Sequence, residues 1–351
     1  MADKRVRIGF IGAGGNTRSR HIPGFKALDD IELVTVANRT PASSERVAKE
    51  FGISRIAPDW KAVLADPQVD AVCIGTWPYT HAQMTIAALE AGKHVLCEAR
   101  MAARSSEARD MLRASREHPG LVAQIVPAPH TLGIDRSIRA LIGGGYVGRL
   151  VTLDARISTG SFATPDGPLH WRQDRDMSGN NIMNMGIWYE ALMRWVGPAA
   201  SVSAMGQTVV AHRNDDSGAR VPMTIPDHVD VIGALEQGGQ MRFSVSSVTG
   251  LAPRSEVWIH GTEGTIKVDE VDGEFCLWGG KRGVSELTAL DIDPATRGEW
   301  RVEEEFVNAI RGQEDITHTD FATGVRYMEW TDAVTRSIRT GATVHLPLEV
   351  N

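Results

Sequence analysis

With 351 residues, 42% of them hydrophobic and 23% charged, the chain is long enough for two domains, since single cores stop growing at about 250–300 residues. A net charge of −7 excludes binding nucleic acid or an anionic membrane through bulk charge, and three cysteines (Cys73, Cys97 and Cys276) exclude a disulfide framework and fit a reducing compartment. No signal-like segment precedes the first apolar run, and no run approaches the roughly 20 residues of a membrane span, so a cytoplasmic location is expected.

The first predicted element is the apolar run Val6, Ile8, Phe10 and Ile11, which leads straight into Gly12-Ala13-Gly14-Gly15. A buried parallel strand entering a glycine-rich turn opens a dinucleotide-binding βαβ unit. Glycine at 12 permits the tight turn. Glycine at 14 lets the backbone approach a pyrophosphate, whose charge sits on the N-terminus of the next helix. The third glycine of this fingerprint is absent, because Thr17 stands three places after Gly14. An ordinary glycine turn would share these features; the preceding strand, the following helix and a second apolar strand at Ile31–Ala37 favour the nucleotide reading. Gly12, Gly14, Gly15, Asn16 and Thr17 are its expected cofactor contacts. Pro23 falls inside the first helix and predicts a kink or split near Ile22.

Further strands are predicted at Ala71–Gly75, His94–Cys97 and Leu121–Val126, and helices at Ser43–Phe51, Trp60–Ala65, Ala82–Ala91 and Ser105–His118. Gly92 is a good helix C-cap. This alternation predicts a parallel sheet with helices on both faces. After the second strand stands Asn38-Arg39-Thr40, with no carboxylate to bond both ribose hydroxyls or repel a 2′-phosphate. NADP is therefore favoured over NAD, although Arg39 covering an adenine face would suit either.

Beyond about residue 128 the texture changes to an α+β pattern. A helix at Arg136–Ile142 and Gly143-Gly144-Gly145 precede strands at Leu150–Ile157, Ala200–Val209, Val229–Glu236, Met241–Val248, Ser255–His260, Thr265–Val268 and Phe275–Trp278. Gln237-Gly238-Gly239 and Gly261-Thr262-Glu263-Gly264 read as hairpin turns. An apolar helix at Ile182–Val196 interrupts them; helices at Glu299–Ile310 and Phe321–Arg339 and a tail strand around Val344–Leu346 close the chain. Arg213–Arg220 reads as a solvated loop. The expected organisation is a dinucleotide-binding domain over 1–128 and an α+β substrate domain over 129–351. The largely antiparallel sheet of the second has a face to cover, which fits a homo-oligomer.

These landmarks together resemble the glucose–fructose oxidoreductase, inositol dehydrogenase and rhizopine-catabolism (Gfo/Idh/MocA) family. The resemblance rests on Gly12-Ala13-Gly14-Gly15 with His21-Ile22-Pro23, Asp70-Ala71-Val72 leading to Thr76-Trp77-Pro78 and His81, and Ala91-Gly92-Lys93-His94-Val95 running into Cys97-Glu98. Trp171-Arg172 ahead of Ser178-Gly179, and the Gly261–Gly264 turn, complete it. It implies a Rossmann domain followed by an open-faced sheet domain, a nicotinamide cofactor, and a sugar, polyol or related substrate. It also implies cofactor contacts at Thr76, Trp77, His81 and Glu98, the last near the nicotinamide ribose.

The departures from the family pattern concern the proton chemistry. The usual Glu-Lys-Pro stands here as Glu98-Ala99-Arg100, and the aspartate and histidine of the later motif are Asn184 and Trp188. The loop between Gly15 and His21 is one residue longer. A positioned acid or base is worth roughly 10²–10⁴-fold in hydride transfer at a carbinol carbon, so another group must manage that proton. The candidates are His170, His130, Tyr189 and Arg100, each with a bland alternative: a loop-packing histidine, a core tyrosine turned off the shared face of 184 and 188, or a salt-bridged arginine. Trp171, Arg172, Asn184 and Trp188 are candidate substrate contacts, the tryptophans as an aromatic wall or as core. No histidine has metal-ligand spacing, Asp227-His228 reads as a solvated turn, and there is no nucleophile elbow, Walker loop or zinc signature.

The expected function is an NAD(P)-dependent oxidoreductase acting on a sugar, cyclitol or related hydroxy/oxo compound through a non-standard proton relay. Two alternatives stand beside it: a lyase or glycoside-cleaving enzyme that recycles its nicotinamide, and a redox-inactive cofactor- or sugar-binding protein.

Overall fold

A computed structural model describes residues 5–165, 167–292, 294 and 297–349. The chain forms two compact units, one comprising the segment up to Pro127 with Arg301–Met328, the other Ala128–Trp300 with the segment from Glu329. The stretch 301–328, grouped by the sequence pattern with the second domain, thus belongs with the first unit.

The first unit is built on six parallel strands: β1 (Val6–Ile11), β2 (Ile31–Ala37), β3 (Arg55–Ile56), β4 (Ala71–Ile74), β5 (His94–Cys97) and β6 (Ala123–Ile125). Their order is β3-β2-β1-β4-β5-β6, the doubly wound order that reverses at β1/β4 and places ligands outside the strands' carboxyl ends there. Strands buried on both faces need unbroken apolar runs, and Ile8, Phe10, Val72, Ile74, Val95 and Leu96 are all fully buried. The helices are α1 (Ile22–Lys26), α2 (Pro41–Phe51), α3 (Trp60–Ala65), α4 (Pro78–Glu90) and α5 (Ser105–Glu117). Helices α2 and α4 start earlier than the sequence pattern predicts. Thr40 caps α2 by accepting from Ser43 N, and each helix carries a proline in its first turn, where no intrahelical N–H is needed.

The second unit begins with α6 (Leu132–Gly143) and β7 (Leu150–Ser158), followed by α7 (Arg175–Ser178) and α8 (Met185–Val196). The strands β8 (Ala199–Gln207), β9 (His212–Asn214), β10 (Arg220–Pro222), β11 (His228–Leu235), β12 (Gln240–Ser246), β13 (Ser255–Gly261), β14 (Gly264–Val271), β15 (Glu274–Lys281) and β16 (Thr288–Leu290) come next. Helix α9 (Val302–Arg311) belongs to the first unit, α10 (Phe321–Thr340) passes from the first to the second after Met328, and β17 (Val344–His345) ends the chain. Nine strands make one sheet in the order β16-β15-β14-β13-β7-β12-β11-β8-β17; β12 and β7 are parallel and the other neighbours antiparallel. Its core includes Phe243, Val202, Ile259, Ile266 and Trp330. The stretch Arg213–Arg220 is not wholly loop. Its ends pair as the β9–β10 hairpin, and Asp215 ties the turn by accepting from Ser217 N and Ala219 N.

Candidate functional site

In the first unit the glycine turn lies at the carboxyl end of β1. Gly12 has φ +80°, and a Cβ there would lie 2.5 Å from the Thr76 side chain, so only glycine fits. Gly14, Gly15 and Asn16 are exposed, and a Cβ at Gly15 would meet nothing within 4 Å. The missing third glycine is compensated from the opposite side. Thr17 is buried, and its hydroxyl fills the space above Gly75, where a Cβ would approach it to 2.1 Å. The loop continues as one π-helical turn, Thr17–His21, before α1 begins at Ile22. That is where Pro23 was expected to split the helix. Exposed backbone at Gly14 and Gly15, at the switch point, fits a dinucleotide pyrophosphate.

Around this turn the expected cofactor residues divide by role. Asn38 accepts from Ala13 N at 2.7 Å and so holds the turn itself. Arg39 is exposed, its guanidinium 5.4 Å from the centre of the Trp77 ring. Thr76 accepts from the Thr80 hydroxyl at 2.7 Å. His81 is fully buried with its ring nitrogens against Arg100 O at 2.9 Å and Thr76 O at 3.0 Å. Burial holds its pKa below the ordinary value, so the neutral ring donates to one carbonyl at a time. His81 therefore braces the Ala99–Arg100 turn, whose peptide bond is cis, from inside. Arg100 itself is 3% exposed, which places its side chain in the interior instead of at an open face.

Beneath the turn lies a buried charged chain. His21 is wholly inaccessible; Nε2–H donates to Glu98 Oε1 at 2.9 Å and Nδ1–H to Glu303 Oε1 at 2.5 Å. Asn16 also donates to Glu98, as does Ala99 N at 3.1 Å. Burial alone would lower the His21 pKa, but the two carboxylates override it and raise it to about 9. Burial likewise opposes ionisation of Glu98, and the hydrogen bond from His21 outweighs it, holding Glu98 below its ordinary value. Glu98 keeps 14% of its side chain exposed, so a fixed carboxylate shows beside Asn16.

In the second unit the helix α8 organises the candidates. Asn184 is its N-cap, directly after Met183, which is held at φ +47°. Trp188 is 2% exposed and packs edge-on against Phe275. The exposed imidazole of His130 stacks on Trp188, centroids 5.2 Å apart and planes within 8°. Two residues further along α8 fasten the His130 segment. Glu190 accepts from Ala128 N at 2.7 Å, and Arg194 donates to Ala128 O at 3.0 Å and Thr131 Oγ1 at 3.3 Å. Arg194 is held in turn by Glu190 and Asp135. Tyr189 turns the other way. It stacks on Trp330 at 4.1 Å and its hydroxyl accepts from Ala199 N, so it is a core residue.

His170, Trp171 and Arg172 lie on the loop before α7. His170 is exposed; its Nδ1 accepts from Arg172 N at 3.2 Å, which leaves the proton of the neutral ring on Nε2. Partial burial, and then the charge of Arg172, hold its pKa below the ordinary value. Arg172 lies over the Trp171 ring at 4.2 Å. His170 and Arg172 line a cavity of about 200 Å³ with Arg213 and Asp227. Glu303 and Arg213 were not singled out from the sequence. Glu303 pairs with a histidine 282 positions away, and no local pattern marks such a contact. Among the described residues no group of three or more His, Cys, Asp or Glu could hold a metal ion, and no helix is long and apolar enough to cross a membrane.

Comparison with known proteins agrees with this construction. Residues 6–124 match the model of the Gfo/Idh/MocA oxidoreductase family, NAD-binding Rossmann fold, and residues 136–267 match the Gfo/Idh/MocA C-terminal domain. The levoglucosan dehydrogenase of Pseudarthrobacter phenanthrenivorans is 24% identical over 322 residues, 84% of this chain and 81% of that protein. A 1,5-anhydro-D-fructose reductase of Ensifer adhaerens is 27% identical over 265 residues, 74% of each. Levoglucosan dehydrogenase in its apo form shares the fold with a TM-score of 0.87 at 22% identity, over 99% of this chain and 100% of that one. The matched models span both units, and the chain belongs to the Gfo/Idh/MocA family of NAD-binding oxidoreductases.

Proposed function

We propose that this protein interconverts a hydroxyl and a carbonyl on a sugar, cyclitol or related compound, with His130 as the acid–base. The nicotinamide supplies the hydride chemistry when bound. The chain's own task is the proton: in oxidation, a ring nitrogen of His130 accepts it from the substrate hydroxyl, and in reduction returns it to the new oxygen. The observation that carries this reading is the exposed His130 imidazole stacked on Trp188, the residue that stands where the family has its histidine. Relatives named for levoglucosan and 1,5-anhydro-D-fructose support a carbohydrate substrate.

The test is turnover of a sugar and cyclitol panel followed both at the nicotinamide absorbance and by product analysis. Net cofactor oxidation or reduction, lowered about 10²–10⁴-fold in His130→Ala with cofactor affinity unchanged, supports the reading. Product without net cofactor change favours the lyase alternative, and tight binding without product the redox-inactive one. On cofactor choice we favour NADP, because Arg39 is exposed and no carboxylate follows β2; Arg39→Ala should weaken NADPH binding more than NADH binding. Cytoplasmic location and homo-oligomerisation complete the reading. Met205 and Ile232, 80% and 60% exposed on one face of the nine-stranded sheet, support association there, which light scattering of Met205→Glu would test.

A further inference from the structure

The charged chain beneath the glycine turn is not balanced. Two carboxylates, Glu98 and Glu303, share the single imidazolium of His21, so two negative charges stand against one positive. Cys73 and His81 do not offset the excess. On β4 the Cys73 thiol is pushed well up by burial and then by the charges of Glu98 and Glu303, and on α4 His81 is neutral. Arg18 and Arg20, on the same turn as His21, are exposed, and Arg18 is paired with Glu50. Stability alone gives no reason for the excess, because buried charges seldom return their desolvation cost. The fold nonetheless keeps a place for it. Glu303 reaches under α1 at Gly24, where a Cβ would lie 2.6 Å from its Oε2.

The excess charge also has a direction. His21 is inaccessible and the Glu303 side chain is 4% exposed, whereas that of Glu98 is 14% exposed. Glu98 follows β5, and its N–H donates to Ile74 O of β4 at 2.9 Å. Its Oε1 accepts from Asn16, the residue after Gly14-Gly15, and its Oε2 from Ala99 N at 3.1 Å. The open end of the chain thus stands at the carboxyl ends of β4 and β5, beside the turn fitted to the pyrophosphate. A dinucleotide crosses the switch point there. Its adenosine half lies towards β2, which ends in Asn38-Arg39, so its nicotinamide half lies towards β4 and β5.

We propose that this chain selects the redox state of the cofactor: Glu98, backed by His21 and Glu303, holds the oxidised nicotinamide, whose ring is cationic, in preference to the reduced, neutral one. The pyrophosphate and ribose groups are common to both forms, so their interactions here cancel in the ratio of the two affinities. Glu303 acts through His21 and is a positioning residue. The inference rests on the family's nicotinamide cofactor and not on His130.

Equilibrium binding without turnover tests it. NADP⁺, NADPH, NAD⁺ and NADH are each titrated into the full chain by calorimetry at about pH 6.5, where His21 keeps its proton. Glu98→Gln should lower the affinity for oxidised relative to reduced cofactor about tenfold, the effect of one unit charge at a partly buried site. Glu303→Gln should move the same ratio the same way, about threefold. Circular dichroism reports that each variant is folded. A third arm needs no variant: raising the pH of the unaltered protein from about 7 to about 10 takes the proton from His21, whose pKa is about 9, and should widen the preference for the oxidised ring. Loss of affinity for both forms by one factor in both variants assigns the chain to structure alone and overturns the selector. A ratio that stays level or falls between pH 7 and 10 does so too. Failure of the His130 reading would leave these ratios unmoved.

Discussion

Replacing Glu303 by glutamine tests the charged chain beneath the glycine turn. Glutamine keeps the length of the side chain, which matters because it packs on Gly24, where a Cβ would lie 2.6 Å from Glu303 Oε2. It keeps an acceptor for His21 Nδ1–H but removes one of the two charges that hold the imidazolium. The folded-state pKa of His21 is raised from 6.5 to about 9, a difference worth about 3 kcal/mol between the protonation states. Because the folded value lies above the unfolded one, that stabilisation is complete below about pH 6.5 and is lost as pH rises through about 9. Glu98 works in the opposite sense: its folded value is depressed, so its contribution is present above about pH 4.5 and is lost in acid. Stability should therefore peak between these limits. Urea unfolding of Glu303→Gln at about pH 6 should show a loss of about 2–3 kcal/mol, shrinking towards zero by about pH 10, where the wild-type ring is neutral. An equal loss at both pH values, or a His21 ring that titrates near its ordinary value by NMR, would refute the imidazolium bridge.

Other consequences are simpler. Gly75→Ala should weaken NADPH binding more than tenfold by fluorescence titration, because the new Cβ collides with the Thr17 hydroxyl and Gly12 O and must displace the cofactor turn. Arg194→Ala strands Glu190 and Asp135 in the interior and should cost about 3–5 kcal/mol in denaturant unfolding; a loss below about 1 kcal/mol would mean that water reaches the pair. Thr40→Ala should remove about 1 kcal/mol through the lost cap of α2. Cys73 and Cys97 are buried, and burial pushes both thiols up. A thiol reagent on the native protein should therefore label Cys276 first, and rapid labelling of the other two would show that β4 and β5 open.

Much of this architecture is written locally in the sequence. Five of the six strands of the first unit follow apolar runs that the sequence pattern marks, β3 (an exposed Arg-Ile pair) being the one it omits, and the period-2 pattern of the sheet strands places β11 to β15 within three residues at each end. What local pattern omits is pairing at a distance. Nothing near Glu303 says that it closes on His21, and nothing near Arg301–Met328 says that these residues rejoin the first unit. Proline at the first helical position starts a helix ahead of its apolar periodicity: Pro41 begins α2 two residues before Ser43, and Pro78 begins α4 four residues before Ala82. At the site, the substitutions at 99, 184 and 188 were plain from sequence, whereas the stacking of His130 on Trp188 required the fold.

The departures from the family pattern come with fitted partners. Threonine at 17 is matched by the bare Gly75 that receives it, and a π turn over Thr17–His21 leads into the helix at Ile22. Tryptophan at 188 is matched by an imidazole laid flat on its ring, on a segment that Glu190 and Arg194 of the same helix clamp by its backbone. A site drifting after loss of function has no reason to keep a buried Arg194 spanning two carboxylates, an arrangement that rarely returns its desolvation cost as stability. What the arrangement secures is position: Ala128 and Thr131, on either side of His130, are both held by α8. A double-mutant cycle of His130→Ala and Arg194→Met puts this to the test. If Arg194 acts through His130, its substitution lowers kcat with KM nearly unchanged, and adds little once His130 is gone. If the two losses multiply, the two residues act independently and Arg194 is not a positioning residue for His130.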